Sequence, residues 1–202
     1  MGKRCFIALF ILLLGIKSNS FAQYNKQRWI ISPKISFADY SDKNNYENYS
    51  ISKIPPLSFF VEKGLNSFFS AGGFIGYKRD KYVNDTISTN VLKYRTYTTG
   101  AVATIHYAKW IERLSGYSIF LGDFDLYISG AMQMAFNKTE EKHVWDSETG
   151  QYKDLPIKKD IDFRIRPIFG IRYFLTDRFC MLLEVGRGNP GMVTTGVSWF
   201  IE

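Results

Sequence analysis

The chain reads as all-β, an eight-stranded antiparallel up-and-down barrel, and three observations carry that reading. First, Ile119 to Phe136 (IFLGDFDLYISGAMQMAF) alternates strictly. Phe120, Gly122, Phe124, Leu126, Ile128, Gly130, Met132, Met134 and Phe136 share one parity, with no charge and no hydroxyl among them. The other parity holds Asp123, Asp125, Gln133 and mostly small residues. A period of two over this length is a strand signal, and the run is long beside the about 5–6 residues usual in globular sheets. Second, seven more segments alternate in the same way, which makes the total even, as antiparallel closure requires. Third, aromatic residues are 17% of the chain, mainly Phe and Tyr. Rings at that density suit an outward face with two interfacial girdles. An apolar outer band over a polar inner face defines a transmembrane β-barrel.

The N-terminus reads as a signal peptide spanning residues 1–22. Lys3 and Arg4 precede an apolar run, Cys5 to Ile16, and Ser20-Phe21-Ala22 sets small residues for cleavage before Gln23. The apolar run is far short of the roughly 20 residues of a spanning helix. Residues 23–202 then form one barrel domain. Loss of Lys3, Arg4 and Lys17 lowers the formal charge from +7 to +4. That balance, without a basic cluster interleaved with aromatics, excludes a nucleic-acid partner. Cys180 alone remains after cleavage, so neither an internal disulfide nor a cysteine-based zinc site is expected.

The strands follow in order. The first is Arg28 to Phe37, with Trp29, Ile31, Pro33, Ile35 and Phe37 against Ile30, Ser32, Lys34 and Ser36. Pro33 lacks a ladder donor, so a bulge or distortion is expected there. A polar loop, Ala38 to Lys53, separates it from the second strand, Leu57 to Glu62. The third is Ser67 to Tyr77, whose glycines at 72, 73 and 76 suit a tight interior or bend. After a loop, Lys78 to Asn90, comes the fourth, Val91 to Tyr107. A connection, Ala108 to Ser118, leads to the fifth strand, the opening stretch. The longest loop, Asn137 to Asp160, precedes the sixth, Ile161 to Phe174, with three arginines on one parity and none on the other. The seventh runs from Phe179 to Val185 and the eighth from Met192 to Ile201. The longer connections, after strands one, three and five, fall at one end and the shorter ones at the other, apart from the short loop after strand seven. That asymmetry is expected of outer-membrane barrels.

Alternation alone also admits a soluble, lipocalin-like periplasmic barrel with the apolar face turned inward around a ligand. Eight strands leave an interior just wide enough for side chains. The polar parity carries Ser70, Gly72, Gly100, Ser129, Ala131, Gly170, Gly196 and Ser198, which fit a crowded inside. Phe, Leu, Met and Ile from every strand would overfill a small calyx. The polar face is therefore placed inside.

The ending SFAQ of the signal, the alternation throughout and the closing LTDRFCMLLEVGRGNPGMVTTGVSWF resemble the small outer-membrane β-barrel proteins, porin-like in type, of Bacteroidetes-type bacteria. The resemblance implies location in the bacterial outer membrane, contact with its lipid, and assembly by the barrel-assembly machinery reading a terminal aromatic. Here Phe200 is followed by Ile201 and Glu202, which departs from that ending.

The inner parity collects Lys34, Glu62, Asp123, Asp125, Asp162, Arg164, Arg166, Arg172 and Glu184. Charges in a narrow interior must be paired, so an ion-pair core plugging the lumen is expected, with an arginine-lined pore as its rival. The expected partners are Arg164 and Arg166 with Asp123 and Asp125. His106 lies on the inner face and His143 beside Glu140 and Glu141 in the longest loop; neither begins a His-x-Ser run, and no catalytic or metal site is assigned. No cofactor is expected. Tyr40, Tyr46, Tyr49 and Trp145 lie in loops, where they serve either a surface ligand or the upper girdle. The default assembly is a monomer. The expected role is non-enzymatic: envelope structure, surface binding or minor solute passage.

Overall fold

The structure is a computed structural model and describes residues 28–39, 49–84, 90–108, 111, 123–142, 144–146, 150–186 and 191–202. Its strands are β1 (Trp29–Asp39), β2 (Tyr49–Gly64), β3 (Phe69–Asn84), β4 (Val91–His106), β5 (Phe124–Lys142), β6 (Val144–Asp146), β7 (Gln151–Lys153), β8 (Lys158–Thr176), β9 (Phe179–Gly186) and β10 (Gly191–Ile201). Eight of them close a barrel in the order β1-β10-β9-β8-β5-β4-β3-β2, every pair antiparallel, and β6 and β7 form a separate hairpin within the β5–β8 connection. Closure is made between β1 and β10, where Trp29 pairs with Ile201 and Asp39 with Gly191. Beside that seam the Arg28 guanidinium donates to Glu202 Oε1 at 3.2 Å and to the Asp177 carbonyl at 3.1 Å.

Alternation decides the faces. On β1, Ile30, Ser32, Lys34 and Ser36 are buried; on β5, Asp125, Tyr127, Ser129, Ala131, Gln133 and Ala135 are. The opposite parity is exposed: Trp29, Phe37, Leu57, Phe59, Ile75, Tyr97, Ile105, Met132, Phe136, Ile165, Phe169 and Trp199 all face outward. The inverted, ligand-filled arrangement of a lipocalin-like barrel is not the one found.

The polar stretches read as loops are partly strand. β2 begins at Tyr49, β3 runs on to Asn84 and β5 to Lys142. A backbone ladder needs hydrogen-bond partners rather than apolar side chains, so pairing continues past the hydrophobic rows. The connection between β3 and β4 thereby shrinks to residues 85–90, while that between β4 and β5, at the opposite end, spans 107–123. The expected division into long and short ends is therefore uneven. At Pro33 the ladder is distorted rather than bulged: the pairing with β10 skips Ser32 and Pro33 and resumes in the same register. The register shifts instead on β2 between Ile54 and Leu57, around Pro55 and Pro56. The signal peptide, Tyr40, Tyr46, His143 and the start of the expected fifth strand lie outside the described residues.

Candidate functional site

The lumen holds the only concentration of buried charge among the described residues, and two apolar clusters bound it. Ile30, Phe174, Cys180 and Phe200 pack together near the end of the barrel where β8 turns into β9. Further along the strands, Phe60, Phe74, Val102, Ala131 and Ile168 form the second cluster, with the Phe60 and Phe74 rings stacked at 4.6 Å.

Between them Arg172 is completely buried, and its guanidinium binds two acids. Nη1 donates to Asp125 Oδ2 at 3.2 Å and Nη2 to Glu62 Oε1 at 3.3 Å. Its Cζ also lies 4.2 Å over the Tyr127 ring, where a cation meets the negative face of the aromatic. Tyr127 has room because Gly170 is its cross-strand partner on β8: a Cβ at Gly170 would run into the Tyr127 ring. A second ion pair sits beside the first. Lys34 Nζ is 2.6 Å from Glu184 Oε1, which also accepts the Tyr127 hydroxyl at 2.7 Å. The Lys34 ammonium lies 3.7 Å over the Phe60 ring.

Hydroxyls answer the second oxygen of Glu62, while Glu184 Oε2 is buried without a hydrogen-bond partner. Glu62 Oε2 takes hydrogen bonds from Ser70 at 2.9 Å and Thr104 at 2.7 Å, and the Thr104 hydroxyl meets Ser129 at 2.8 Å. Ser32 with Ser198, and Ser36 with Thr194, make hydroxyl pairs across the β1–β10 seam. Charge-assisted hydrogen bonds of this kind are what offset the cost of desolvating ions.

One part of this network has the outline of a nucleophile, a base and an orienting acid. Ser70 Oγ is 3.0 Å from His106 Nε2, and His106 Nδ1 is 2.8 Å from Asp125 Oδ2. The spacing meets the geometric test for an activated serine. The surroundings do not fit that role. Ser70 is fully buried, its hydroxyl donates to Glu62, and Asp125 is shared with Arg172.

The sequence-derived residues thus divide. Lys34, Glu62, Asp125, Arg172 and Glu184 come together in the buried network. Asp162 and Arg164 pair with each other higher on β8, with the Arg164 side chain 58% exposed. Arg166 is half-buried on the same face, and Asp123 is half-buried just before β5. The expected partnership of Arg164 and Arg166 with Asp123 and Asp125 is replaced. The register sets Arg172 opposite Asp125, while Arg166 and Arg164 stand opposite Ala131 and Gln133. Six residues of strand, roughly 20 Å, separate Ala131 from Asp125. Tyr49 begins β2 and Trp145 pairs with Tyr152 in the hairpin. Ser70, Thr104, His106, Tyr127 and Ser129 belong to the network without having been singled out with the charges, although each lies on the inner parity. Above the Phe60–Phe74 stack, Ser58, Thr98 and Gln133 are buried with a side-chain oxygen that has no protein partner.

No family model matches the chain, and no curated protein matches it. Among solved structures, it is similar to the N-terminal β-barrel domain of Pseudomonas aeruginosa OprF. The likeness has 10% identity and a TM-score of 0.45, and covers 89% of this chain and 100% of that one.

Proposed function

We propose that the chain is an integral outer-membrane β-barrel protein with a closed lumen, serving the envelope as a structural and surface-displaying element rather than as an enzyme or an open pore. One observation carries this reading: the barrel turns its large apolar side chains outward and buries its ions inside. Ile165 is 70% exposed and Phe163 57%, whereas Arg172 is 0% and Glu62 2%. A continuous apolar exterior of this extent is far beyond what a monomer keeps in water, and it matches the lipid-facing band of a spanning barrel.

The outward run on β5 from Phe124 to Phe136 supports the same reading. Thirteen tilted residues rise roughly 30 Å, enough for the ~25 Å band and its aromatic girdles. Cleavage before Gln23 releases the mature domain into the periplasm. The barrel-assembly machinery then takes the closing strand, on which Trp199 faces outward and Phe200 faces the lumen. The β1–β2, β3–β4, β5–β8 and β9–β10 connections lie on the cell surface. The finer kinship, with small barrels of Bacteroidetes-type bacteria, rests on the signal ending and the closing strand.

The test is fractionation followed by a heat-shift gel. Recovery in the outer membrane, with migration that changes only on boiling, is the expected result. Recovery in the soluble periplasm would overturn the proposal.

A further inference from the structure

The outer surface of β3, β4, β5 and β8 changes character abruptly at one height. Tyr77, Tyr97, Phe136 and Ile161 form a cross-strand row. Tyr77 and Tyr97 touch, with ring centroids 5.1 Å apart. Two residues further along each strand, roughly 7 Å, the same outward parity carries Arg79, Arg95, Lys138 and Lys159. One step beyond, Lys81 stands opposite Lys93. Asp80 and Tyr82, on either side of Lys81 on β3, are buried toward the lumen, which fixes Arg79 and Lys81 on the outside.

Arg79 directly faces Arg95, and Lys81 directly faces Lys93. Like charges opposite one another destabilise a sheet. Glu140 is the one acid on the outward faces of these four strands, and it is shared: Lys138 Nζ is 2.8 Å and Arg95 Nη1 3.6 Å from its Oε1. Acids nearby point inward instead, Asp80 to Lys78 at 3.0 Å and Asp162 to Arg164. The excess positive charge is thus held on the face that meets lipid headgroups.

Directly below the Arg79–Arg95 pair lies an apolar groove of about 490 Å³, lined on the outside by Leu57, Phe59, Ile75, Tyr77 and Tyr97. It adjoins the irregular stretch of β2 at Pro55 and Pro56. A greasy groove continuous with a cluster of guanidinium and ammonium groups matches one kind of molecule, with acyl chains at one end and phosphate at the other. Arginine suits it because the guanidinium fork meets phosphate bidentately.

We propose that this face binds a phosphorylated, multiply acylated glycolipid of the lipid A type, its phosphate between Arg79 and Arg95 and an acyl chain in the Leu57–Tyr97 groove. The site rests on the outer-membrane reading above, since only there does the groove meet acyl chains and the cations meet headgroups.

The test uses the full chain, folded in non-ionic detergent, and native mass spectrometry with three probes: bisphosphorylated lipid A, its phosphate-free counterpart and phosphatidylglycerol. The expected result is one retained lipid A. Binding falls at least tenfold when phosphate is removed, for phosphatidylglycerol, and in Arg79→Gln/Arg95→Gln. Lys63→Gln/Arg178→Gln, at the opposite end, is the charge-matched control and keeps full binding. Removing two opposed like charges leaves the barrel able to fold, which the heat-shift gel verifies; Lys81→Gln/Lys93→Gln is the second variant should the first not fold. Unchanged binding in the folded variants, or equal binding of phosphate-free lipid A or phosphatidylglycerol, would overturn the site while leaving a membrane-located barrel in place. Recovery of the protein in the soluble periplasm would remove the membrane reading and the site together.

Discussion

Arg172 is the one cation placed between Glu62 and Asp125, and that position sets what its loss must do. Removing it leaves two buried carboxylates answered by hydroxyls, His106 and the neighbouring Lys34 ammonium, which is already paired with Glu184. Breaking a buried pair from one side costs about 3–5 kcal/mol. Arg172→Met is expected to lower stability by that amount, read from urea unfolding in detergent micelles; an unchanged midpoint would exclude a structural role for the network. The second pair allows a sharper comparison. Lys34→Met alone is expected to cost about 3–5 kcal/mol because Glu184 stays charged and buried. Lys34→Met/Glu184→Leu/Tyr127→Phe removes both ions and the hydroxyl that Glu184 accepts, and is expected to recover most of that loss. Replacing a whole buried pair by apolar groups is often neutral or stabilising. At this scale the sequence revealed the face of each charge and not its partner. A period of two assigns a side chain to the lumen, but the pairing of Arg172 rather than Arg164 with Asp125 depends on the stagger between neighbouring strands. That stagger is set by closure around the whole barrel.

Strands show the same division between what patterning carries and what it does not. The apolar rows were legible, because lipid-facing and lumen-facing residues must differ. The strand ends were not, because Tyr49–Ile54, Lys78–Asn84 and Asn137–Lys142 pair through backbone while polar residues occur on both faces. The boundary between the two regimes is testable on one strand. Lys138 on β5 lies two residues beyond Phe136, past the aromatic row, and is tolerated there. Met132, one outward position from the centre of the Phe124–Phe136 run, lies near mid-depth. Met132→Arg is expected to cost about 2–4 kcal/mol, as charge on the lipid face near the midplane does. Folding titrations in lipid vesicles check this, with Lys138→Arg as the neutral comparison. Packing inside β8 gives a second measurement. Gly170→Ala puts a methyl into the Tyr127 ring, and overpacking of this kind costs about 1–3 kcal/mol. Gly170→Ala/Tyr127→Ala relieves the clash while losing the hydroxyl to Glu184, so the two effects are separable in a double-mutant cycle.

For the molecule as a whole, the contents of the lumen decide between a scaffold and a channel. Ion passage needs a continuous wet path, and hydrophobic constrictions close such a path by dewetting. Here the path is interrupted three times. Phe60 and Phe74 stack and pack with Val102, Ala131 and Ile168 of the other strands, Arg172 is locked to two acids with its guanidinium over Tyr127, and Phe174 and Phe200 fill the end nearest the β8–β9 turn, their centroids 5.2 Å apart. No single truncation removes all three barriers. The wild-type barrel reconstituted in planar bilayers is therefore expected to be electrically silent, and so is Phe60→Ala/Phe74→Ala, in which the ion pairs still bridge the strands. Current steps are expected only when the other two barriers go as well, as in Phe60→Ala/Phe74→Ala/Arg172→Ser/Phe174→Ala/Phe200→Ala, provided the heat-shift gel shows that variant folded. Regular steps from the wild-type protein would mean that the Arg172 and Lys34 pairs exchange partners on the timescale of conduction, and the ions read here as a plug would be the moving parts of a gate.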